Sequence, residues 1–364
     1  MKNVIIFTYL QRHLIKMFPI IAELQNNRQI NLTVLLMTQE EQSLAIENHI
    51  EYKMLDEFTA NIRQYDFDLG WGLEPLINAI DQIKPNIFLA IEVNYILRNA
   101  VRYCKQNGIK TIILQHGTPN RYSLHAFVPF EGDLFLAWGD FSKEFLVKNN
   151  MPPEKIILTG GVSFDRTLTL IPNKHRIAQT LNLNPHKKWI LFTTQGSGSG
   201  SIPTPKEIRD GVAQTANSLK NNNEVQLIYQ VHPSQKMAFI RALLRDIPSN
   251  NYVVCKYKDT EELIKSSDAM ITFFSTTAID AILLKKPLLL INLSEDKDFL
   301  PLPKMGVAIG VYDAKDISLS IENLLTGSPF ENESYDRAIK YLNYKNDGKA
   351  LQRVMDIIYD NIGV

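Results

Sequence analysis

Residues 269–293 read AMITFFSTTAIDAILLKKPLLLINL, and this stretch decides the fold that the sequence predicts. The segment 270–274 is apolar and rich in residues that favour β-structure, which predicts a buried strand. Helical spacing follows over 278–286, and a proline ends it before the apolar run 288–293. A strand, a helix and a second apolar strand in this order are typical of a parallel sheet with helices on its faces.

Three hydroxyl side chains, Ser275, Thr276 and Thr277, stand where the predicted helix begins. The start of a helix carries unpaired backbone N–H groups and a partial positive charge, so hydroxyls beside it indicate a phosphate site. The alternative is that Ser275 only caps the helix. Asp280, on the first helical turn, is placed to accept hydrogen bonds from a ribose.

The composition excludes several classes of protein. The 364 residues, 45% of them hydrophobic, are enough for two domains with their own cores. Lys plus Arg equals Asp plus Glu at 39 each, which argues against a nucleic-acid partner. Cys104 and Cys255 have no metal-ligand spacing, so neither a disulfide nor a metal site is expected. No apolar run reaches the ~20 residues of a spanning helix, which favours a cytoplasmic protein; peripheral membrane association and oligomeric state stay open.

Buried strands alternate with amphipathic helices along most of the chain. The alternation predicts an N-terminal Rossmann-like domain over 1–170, a linker over 171–188, a second such domain over 189–343 and a C-terminal helix over 344–364. The fold class is therefore α/β, with two parallel-sheet domains across a cleft. Ligands of such sheets bind beyond the carboxyl ends of the strands, so we expect the site there.

Two loops of the second domain carry unusual residues at predicted strand ends. Gly196, Ser197 and Gly198 lie in the run QGSGSGS, whose backbone N–H groups can surround an anion; the alternative is a flexible loop. His232 and Pro233 follow another strand, where the imidazole can donate to a phosphate and offset charge on a leaving group.

The first domain carries its own candidates, interpreted as the acceptor side, at three predicted strand ends. They are Arg12 and His13, then Glu92, then Gln115, His116, Gly117 and Thr118. His116 is a candidate general base toward an acceptor hydroxyl, unless it is a core histidine. His13 and Glu92 are rival bases, and the sequence does not rank the three. Arg12 is a candidate anion ligand.

Several motifs together resemble known families. HGT at His116, HP at His232 and STTAID at Ser275 are similar to CDP-glycerol glycerophosphotransferases and to the donor-binding segment of GT-B glycosyltransferases. IKMFPII at 15–21 resembles the IKMAPVI segment of UDP-N-acetylglucosamine 2-epimerases. NDGKALQRVMDII at 346–358 is similar to the closing helix of related surface-polysaccharide proteins.

The resemblance implies a GT-B transferase of bacterial surface-polysaccharide synthesis (capsule, lipopolysaccharide or teichoic acid), without metal or cofactor, in the cytoplasm or at the inner face of the membrane. A UDP-, CDP- or CMP-linked donor would pass a sugar or a glycerol-phosphate-like group to a glycan or lipid-linked acceptor. Alternatives are a 2-epimerase-like enzyme and a non-catalytic sugar-nucleotide-binding subunit. The chain departs from the epimerases at Gln11, Arg12 and His13, where they carry Arg-Pro-Glu, and from the glycerophosphotransferases at Asn120 and Arg121, where a lysine is usual.

Overall fold

The fold was analysed in a computed structural model, which describes residues 1–58, 73–91, 95–196, 203–247, 251–273, 275–295, 298–326 and 330–363. The chain divides into two compact units. Unit 1 comprises Met1–Asp165 and Lys340–Val364, and unit 2 comprises Arg166–Ile339. The domain limits expected at 170, 188 and 343 stay a prediction.

Unit 1 is built on a parallel sheet that has seven strands within the described residues, in the order β3-β2-β1-β4-β5-β6-β7. The strands are β1 (Lys2–Phe7), β2 (Ile30–Leu36), β3 (Lys53–Met54), β4 (Ile87–Ala90), β5 (Lys110–Leu114), β6 (Leu134–Ala137) and β7 (Ile156–Leu158). The helices of this unit are α1 (Gln11–Asn26), α2 (Gln39–Glu47), α3 (Leu73–Ile83), α4 (Tyr95–Gln106), α5 (Asp140–Lys148) and α14 (Ala350–Ile362). Two helices, α6 (Val162–Thr169) and α13 (Asn332–Leu342), carry the chain from one unit to the other.

Helices cover both faces of the unit 1 sheet because successive side chains of a strand point to opposite sides. Val4 and Ile6 of β1 are buried among residues of α1 and α14. Ile5 and Phe7 are buried on the other face among residues of α3 and α4. Asp165 accepts hydrogen bonds from the first backbone N–H groups of α14, at 3.1 and 2.8 Å. The C-terminal helix thus completes the core of unit 1.

Unit 2 repeats the architecture with a parallel sheet that has six strands in the described part of the chain, in the order β10-β9-β8-β11-β12-β13. The strands are β8 (Lys188–Thr193), β9 (Val225–Gln230), β10 (Tyr252–Cys255), β11 (Ala269–Thr272), β12 (Leu288–Ile291) and β13 (Ile309–Val311). The helices are α7 (Lys174–Leu181), α8 (Pro205–Leu219), α9 (Met237–Leu243), α10 (Thr260–Ser266), α11 (Thr277–Leu283) and α12 (Ile317–Leu325). Parallel α/β organisation, predicted from the alternating pattern, is confirmed.

The structure corrects some details of that pattern. Helix α2 and the two-residue strand β3 were not expected; α2 is largely polar and is defined by a capping box between Thr38 and Glu41. The helix expected over 278–286 is α11, which ends at Leu283. It ends early because Lys285 adopts a left-handed conformation, φ 51°, which stops a helix.

A buried carboxylate ties α7 to α10 within unit 2. Glu262, whose side chain is 3% exposed, accepts hydrogen bonds at 2.7 Å from Arg176 through both of its oxygens. The backbone N–H of Asn173 and the hydroxyl of Tyr257 also donate to it, at 3.1 and 2.9 Å. Burial opposes ionisation of Glu262, but these donors outweigh it and hold its pKa below the usual value.

Candidate functional site

The strand order of unit 2 defines one position where a ligand is expected to bind. From β8 the chain steps outward through β9 to β10, and it then returns to the other side of β8 as β11. The carboxyl ends of two strands that diverge in this way form a crevice, the usual ligand site of open α/β sheets. Thr193 ends β8 and pairs in register with Thr272, which ends β11. The motif loops of unit 2 begin at this edge.

A track of hydroxyl groups runs from these strand ends to the start of α11. The Thr193 and Thr272 hydroxyls are hydrogen-bonded at 2.7 Å, and Thr193 also lies 3.3 Å from the hydroxyl of Thr277. Thr277 donates to Ser275 Oγ from its hydroxyl at 2.8 Å and from its backbone N–H at 3.2 Å. Ser275 is half-buried and Thr276 is exposed, so the outer end of the track is open to solvent.

Ser275 therefore does help to cap α11, as the simpler interpretation of the sequence holds. Its oxygen accepts the N–H of Thr277, the first helical residue, whereas the N-cap residue itself, Thr276, makes no side-chain cap bond. The cap and a phosphate site are compatible, because Thr276 keeps its hydroxyl at the exposed surface. The phosphate-binding role of the three hydroxyls stays a prediction.

Asp280 and Lys286 have structural contacts that the sequence did not indicate. Asp280, half-buried on α11, accepts a hydrogen bond from the Thr167 hydroxyl of α6 at 2.9 Å. Lys286 donates to the carbonyl oxygens of Lys265 and Ser267 at 2.9 and 2.6 Å, at the carboxyl end of α10. Burial lowers the pKa of Lys286. Lys286 thus stabilises a helix end, while the ribose contact of Asp280 stays a prediction.

The loop after β9 holds His232 in a defined tautomer. The His232 backbone N–H donates to Thr194 Oγ1 at 3.0 Å. The ring atom Nδ1 accepts the backbone N–H of Ser234 at 3.2 Å and lies 2.8 Å from the Ser234 hydroxyl. A neutral imidazole that accepts at Nδ1 carries its proton on Nε2. His232 and Pro233 are exposed at the surface of unit 2.

Gly196, where the glycine-rich loop leaves β8, packs directly against this histidine. A Cβ at position 196 would lie 3.0 Å from His232 Nδ1 and closer still to the Ser234 hydroxyl. A larger residue there would therefore displace the imidazole. Ser197 and Gly198, also predicted to bind the donor, lie outside the described residues.

In unit 1 two of the three candidate bases are close together. The rings of His13, on α1, and His116, after β5, have centroids 6.1 Å apart. His116 is half-buried and stacks on Phe127 at 5.1 Å. His13 is buried and meets the Tyr9 ring edge-on at 4.8 Å. Glu92 lies outside the described residues, so the choice among the three bases stays open.

The remaining candidates of unit 1 differ in exposure. Arg12 is exposed, Gly117 is half-buried and Thr118 is 9% exposed. Gln115 is buried, and its amide accepts from the Trp138 backbone and donates to Gly117 O and Ser142 Oγ, all within 2.9 Å. These bonds hold the loop after β5 onto α5. Acceptor contacts by these four residues stay predictions.

Lys16 is a site residue to which the sequence assigned no role. Its ammonium group donates to the carbonyl oxygen of His116 and lies 5.8 Å from the centroid of the Trp138 ring. It lines a cavity of about 20 Å³, the size of one water molecule. The other lining residues are Ile91, Leu114, Gln115, Leu136, Trp138, Thr159, Gly160, Val162, Ser163 and Val354. The sequence did contain a clue to this role: Lys16 lies one helical turn after His13 on the same face of α1.

In the ranges that the structure describes, no group of three or more His, Cys, Asp or Glu side chains is arranged to hold a metal ion. In those same ranges no helix combines the length and apolar character needed to cross a bilayer. Metal independence stays a prediction.

Two Rossmann-like parallel-sheet units in one chain define the GT-B class of folds, as the sequence predicted. The chain belongs to the CDP-Glycerol:Poly(glycerophosphate) glycerophosphotransferase family, whose model matches residues 132–360. This finding confirms the resemblance drawn from the HP and STTAID motifs.

Other relatives extend the likeness over the whole chain. A UDP-N-acetylglucosamine 2-epimerase of Campylobacter jejuni is 23% identical, with 98% of this chain and 97% of that protein aligned. A pyrophosphoryl-undecaprenol N-acetylglucosamine transferase of Bacteroides thetaiotaomicron is 29% identical over 45% of each chain. The structure of S. aureus MnaA with UDP superposes with a TM-score of 0.71 at 18% identity, covering 100% of this chain and 97% of that one. Together they support a glycosyltransferase or a related sugar-nucleotide enzyme.

Proposed function

We propose that the protein is a transferase of bacterial surface-polysaccharide synthesis, which moves a sugar or a glycerol-phosphate-like group from a nucleotide-activated donor to an acceptor hydroxyl. The observation that carries the proposal lies in unit 2. A hydroxyl track at the ends of β8 and β11 and an imidazole N–H after β9 occupy the edge where α/β sheets bind nucleotides. Family membership supports the same chemistry.

The donor would bind at this edge through groups that favour negative charge. Ser275, Thr276 and Thr277 would hydrogen-bond the phosphates, and Asp280 would accept from the ribose while keeping its bond to Thr167. The Nε2–H of His232 would donate to the phosphate oxygen on which charge grows as the nucleotide leaves. Donors that are already in place stabilise the departing nucleoside phosphate, because no reorganisation of solvent is needed as its charge develops.

The acceptor hydroxyl must lose a proton as its oxygen bonds to the transferred group. His116, or else His13 or Glu92, would take that proton, while the bond between the transferred group and the nucleotide breaks and its electron pair leaves with the phosphate. Lys16 holds the His116 carbonyl and so orients the loop that carries the imidazole. His116 is the more accessible of the two candidate bases that the structure describes, since His13 is fully buried.

A second candidate function is a 2-epimerase acting on a UDP-linked sugar. The full-length alignment with the C. jejuni 2-epimerase and the fold shared with UDP-bound MnaA favour it. Epimerisation needs an acid and a base on either side of one carbon, and His13 and His116 are a pair at 6.1 Å between ring centroids.

The test begins with binding. Thermal unfolding is measured with UDP, UDP-N-acetylglucosamine, CMP, CDP, CDP-glycerol and GDP, because a ligand of the native state raises the midpoint. A donor-class nucleotide should raise it, and the shift should shrink in Ser275→Ala/Thr276→Ala. Thr180→Ala removes an exposed hydroxyl on α7 and should leave the shift intact. If no nucleotide raises the midpoint at millimolar concentration, the proposal is wrong.

Turnover then separates the two functions. The bound donor is incubated alone and with a lipid-linked glycan fraction. Transfer to the fraction supports the transferase, and conversion of UDP-N-acetylglucosamine alone to its C2 epimer supports the second candidate. His116→Ala and His232→Ala should each lower the rate, and full activity in both would refute the assigned mechanism.

A further inference from the structure

Gln235, three residues after His232, has a side chain that is almost closed off from solvent but only half satisfied. The residue is 8% exposed and follows β9 in the same turn, where its backbone N–H donates to the carbonyl of His232 at 2.9 Å. The amide oxygen Oε1 accepts a hydrogen bond from Thr194 Oγ1 at 2.6 Å. The amide nitrogen Nε2 is buried and has no hydrogen-bond partner among the residues that the structure describes.

The neighbouring bonds determine which end of the amide is left over. Thr194 Oγ1 accepts the N–H of His232, so its own single proton is available to Gln235 Oε1. The distance of 2.6 Å is typical of an O–H···O bond and short for an N–H···O bond. A flipped amide would leave both the carboxamide oxygen and the Thr194 proton without a partner. The unsatisfied group is therefore a donor with two N–H bonds.

Buried donors in native proteins nearly always have a partner, and an exception calls for a reason. The bond to Thr194 does not supply one, because it uses only Oε1 and leaves both N–H bonds of the amide unmet. The position of the Gln235 amide does supply a reason. Through Thr194, the amide is connected to the backbone of His232, the residue proposed to donate to a phosphate from Nε2. Thr194 follows β8 and Gln235 follows β9, so the amide belongs to the strand ends where the donor site is proposed.

We propose that Gln235 is a further ligand-binding residue, whose side-chain amide donates to a phosphoryl oxygen of the bound nucleotide. Phosphoryl oxygens only accept hydrogen bonds, which matches a group that can only donate. The inference rests on the proposed function and names the part of the ligand that this turn recognises. It also explains the orientation of Thr194, which holds Gln235 by Oε1 and leaves Nε2 for the ligand.

Gln226 provides a matched control. It is also a glutamine and also 8% exposed, but it lies near the amino end of β9, where Oε1 accepts the backbone N–H of Asn184 at 2.6 Å. The variants are Gln235→Met, which removes the donor, Gln235→Glu, which keeps the acceptor for Thr194 and adds charge, and Gln226→Met. Thermal unfolding of each variant without ligand reports whether it folds.

Binding of UDP, CDP, inorganic pyrophosphate, uridine and cytidine is measured by calorimetry. Loss of one bond to a charged oxygen corresponds to about a tenfold to hundredfold weaker Kd. We expect that loss for the diphosphates and pyrophosphate in Gln235→Met, a larger one in Gln235→Glu, and no change for the nucleosides. Gln226→Met should bind every probe as the wild type does. In the wild type, the side-chain amide protons of Gln235 should shift downfield in NMR spectra when pyrophosphate is added.

The outcomes separate this inference from the proposed function. If the wild type binds diphosphates and Gln235→Met binds them equally well, with no change in the amide resonances, the inference fails and the donor site stands. If pyrophosphate binds in a Gln235-dependent way but no nucleotide does, Gln235 is confirmed as a phosphate ligand and the nucleotide donor is wrong. If nothing in the panel binds the wild type, both are overturned.

Discussion

The tautomer of His232 leads to a prediction that depends on the position of a single proton. Because Nδ1 accepts from the Ser234 backbone, the proton of the neutral ring is on Nε2, and Nε2–H is the group predicted to donate to the phosphate. The amide nitrogen of a glutamine reaches about as far along the side chain as Nε2, whereas that of an asparagine reaches only as far as Nδ1. His232→Gln should therefore retain the affinity for nucleotides, and His232→Asn should weaken it.

The expected size of the effect follows from the exposure of the residue. Hydrogen bonds to charged groups contribute about 1.5–3 kcal/mol, which corresponds to about 10- to 150-fold in Kd. His232 is exposed, so water competes for its donor and the lower end applies, about tenfold for UDP or CDP. Neither variant should change the unfolding midpoint by more than the equivalent of about 0.5 kcal/mol, since surface substitutions rarely do.

The assay is isothermal titration calorimetry of UDP and CDP against the wild type, His232→Gln, His232→Asn and Ser234→Ala. Ser234→Ala removes the hydroxyl 2.8 Å from Nδ1 but keeps the backbone donor, so the tautomer and most of the affinity should survive. Equal affinity of the Asn and Gln variants would refute the reasoning, because it would mean that Nε2–H makes no contact with the phosphate.

Three further predictions concern the scaffold. Glu262→Gln should lower the free energy of unfolding by about 2 kcal/mol. The fold lowers the pKa of Glu262, so the ionised carboxylate stabilises the protein fully above the ordinary glutamate pKa, and this stabilisation is lost as pH falls through the lowered pKa. In denaturant titrations from about pH 5 to 3, the free energy of unfolding should therefore fall more steeply for the wild type than for the variant. Gly139→Ala should lower the free energy of unfolding by about 1–3 kcal/mol, because the new Cβ would lie 2.6 Å from backbone atoms of α13. Gly117→Ala is the control: no atom lies within 4 Å of its Cβ, so its unfolding midpoint should equal that of the wild type. Burial raises the thiol pKa of Cys104 to about 12 and of Cys255 to about 11, so neither should react with a disulfide reagent at pH 8 until urea unfolds the chain; prompt reaction of the native protein would contradict this.

Local sequence predicted the elements best where burial imposes a period. The strand expected over 270–274 is β11, whose ends lie within two residues of the prediction, since a buried apolar run is a direct consequence of packing. Helix α2 was missed because it buries few side chains and so shows no clear helical spacing of apolar residues. Strand β3 was missed because two residues are too few to show an alternating pattern. The end of α11 was misplaced, because a left-handed lysine at position 285 has no signature comparable to a glycine.

The residues of the candidate site were foreseen as loops at strand ends, but their partners were not. Lys16 was quoted within a motif without a role, and only the fold brings its ammonium to the His116 carbonyl, 100 residues further along the chain. Asp280 was expected to meet a ribose, and the fold gives it Thr167 as a neighbour. Gln235 stood beside a recognised His-Pro pair and carried no signal of its own.

By itself the sequence determined the α/β class, the order of strands and helices and the motifs that follow the strands, because these depend on the burial of neighbouring residues in the chain. The tertiary structure alone decided which strands are adjacent. Placing β11 beside β8 joins Thr193 to Thr272, and placing β4 between β1 and β5 brings His116 within 6.1 Å of His13 between ring centroids. Strand order depends on long-range pairing among apolar segments that are alike in composition, so the local pattern does not encode it.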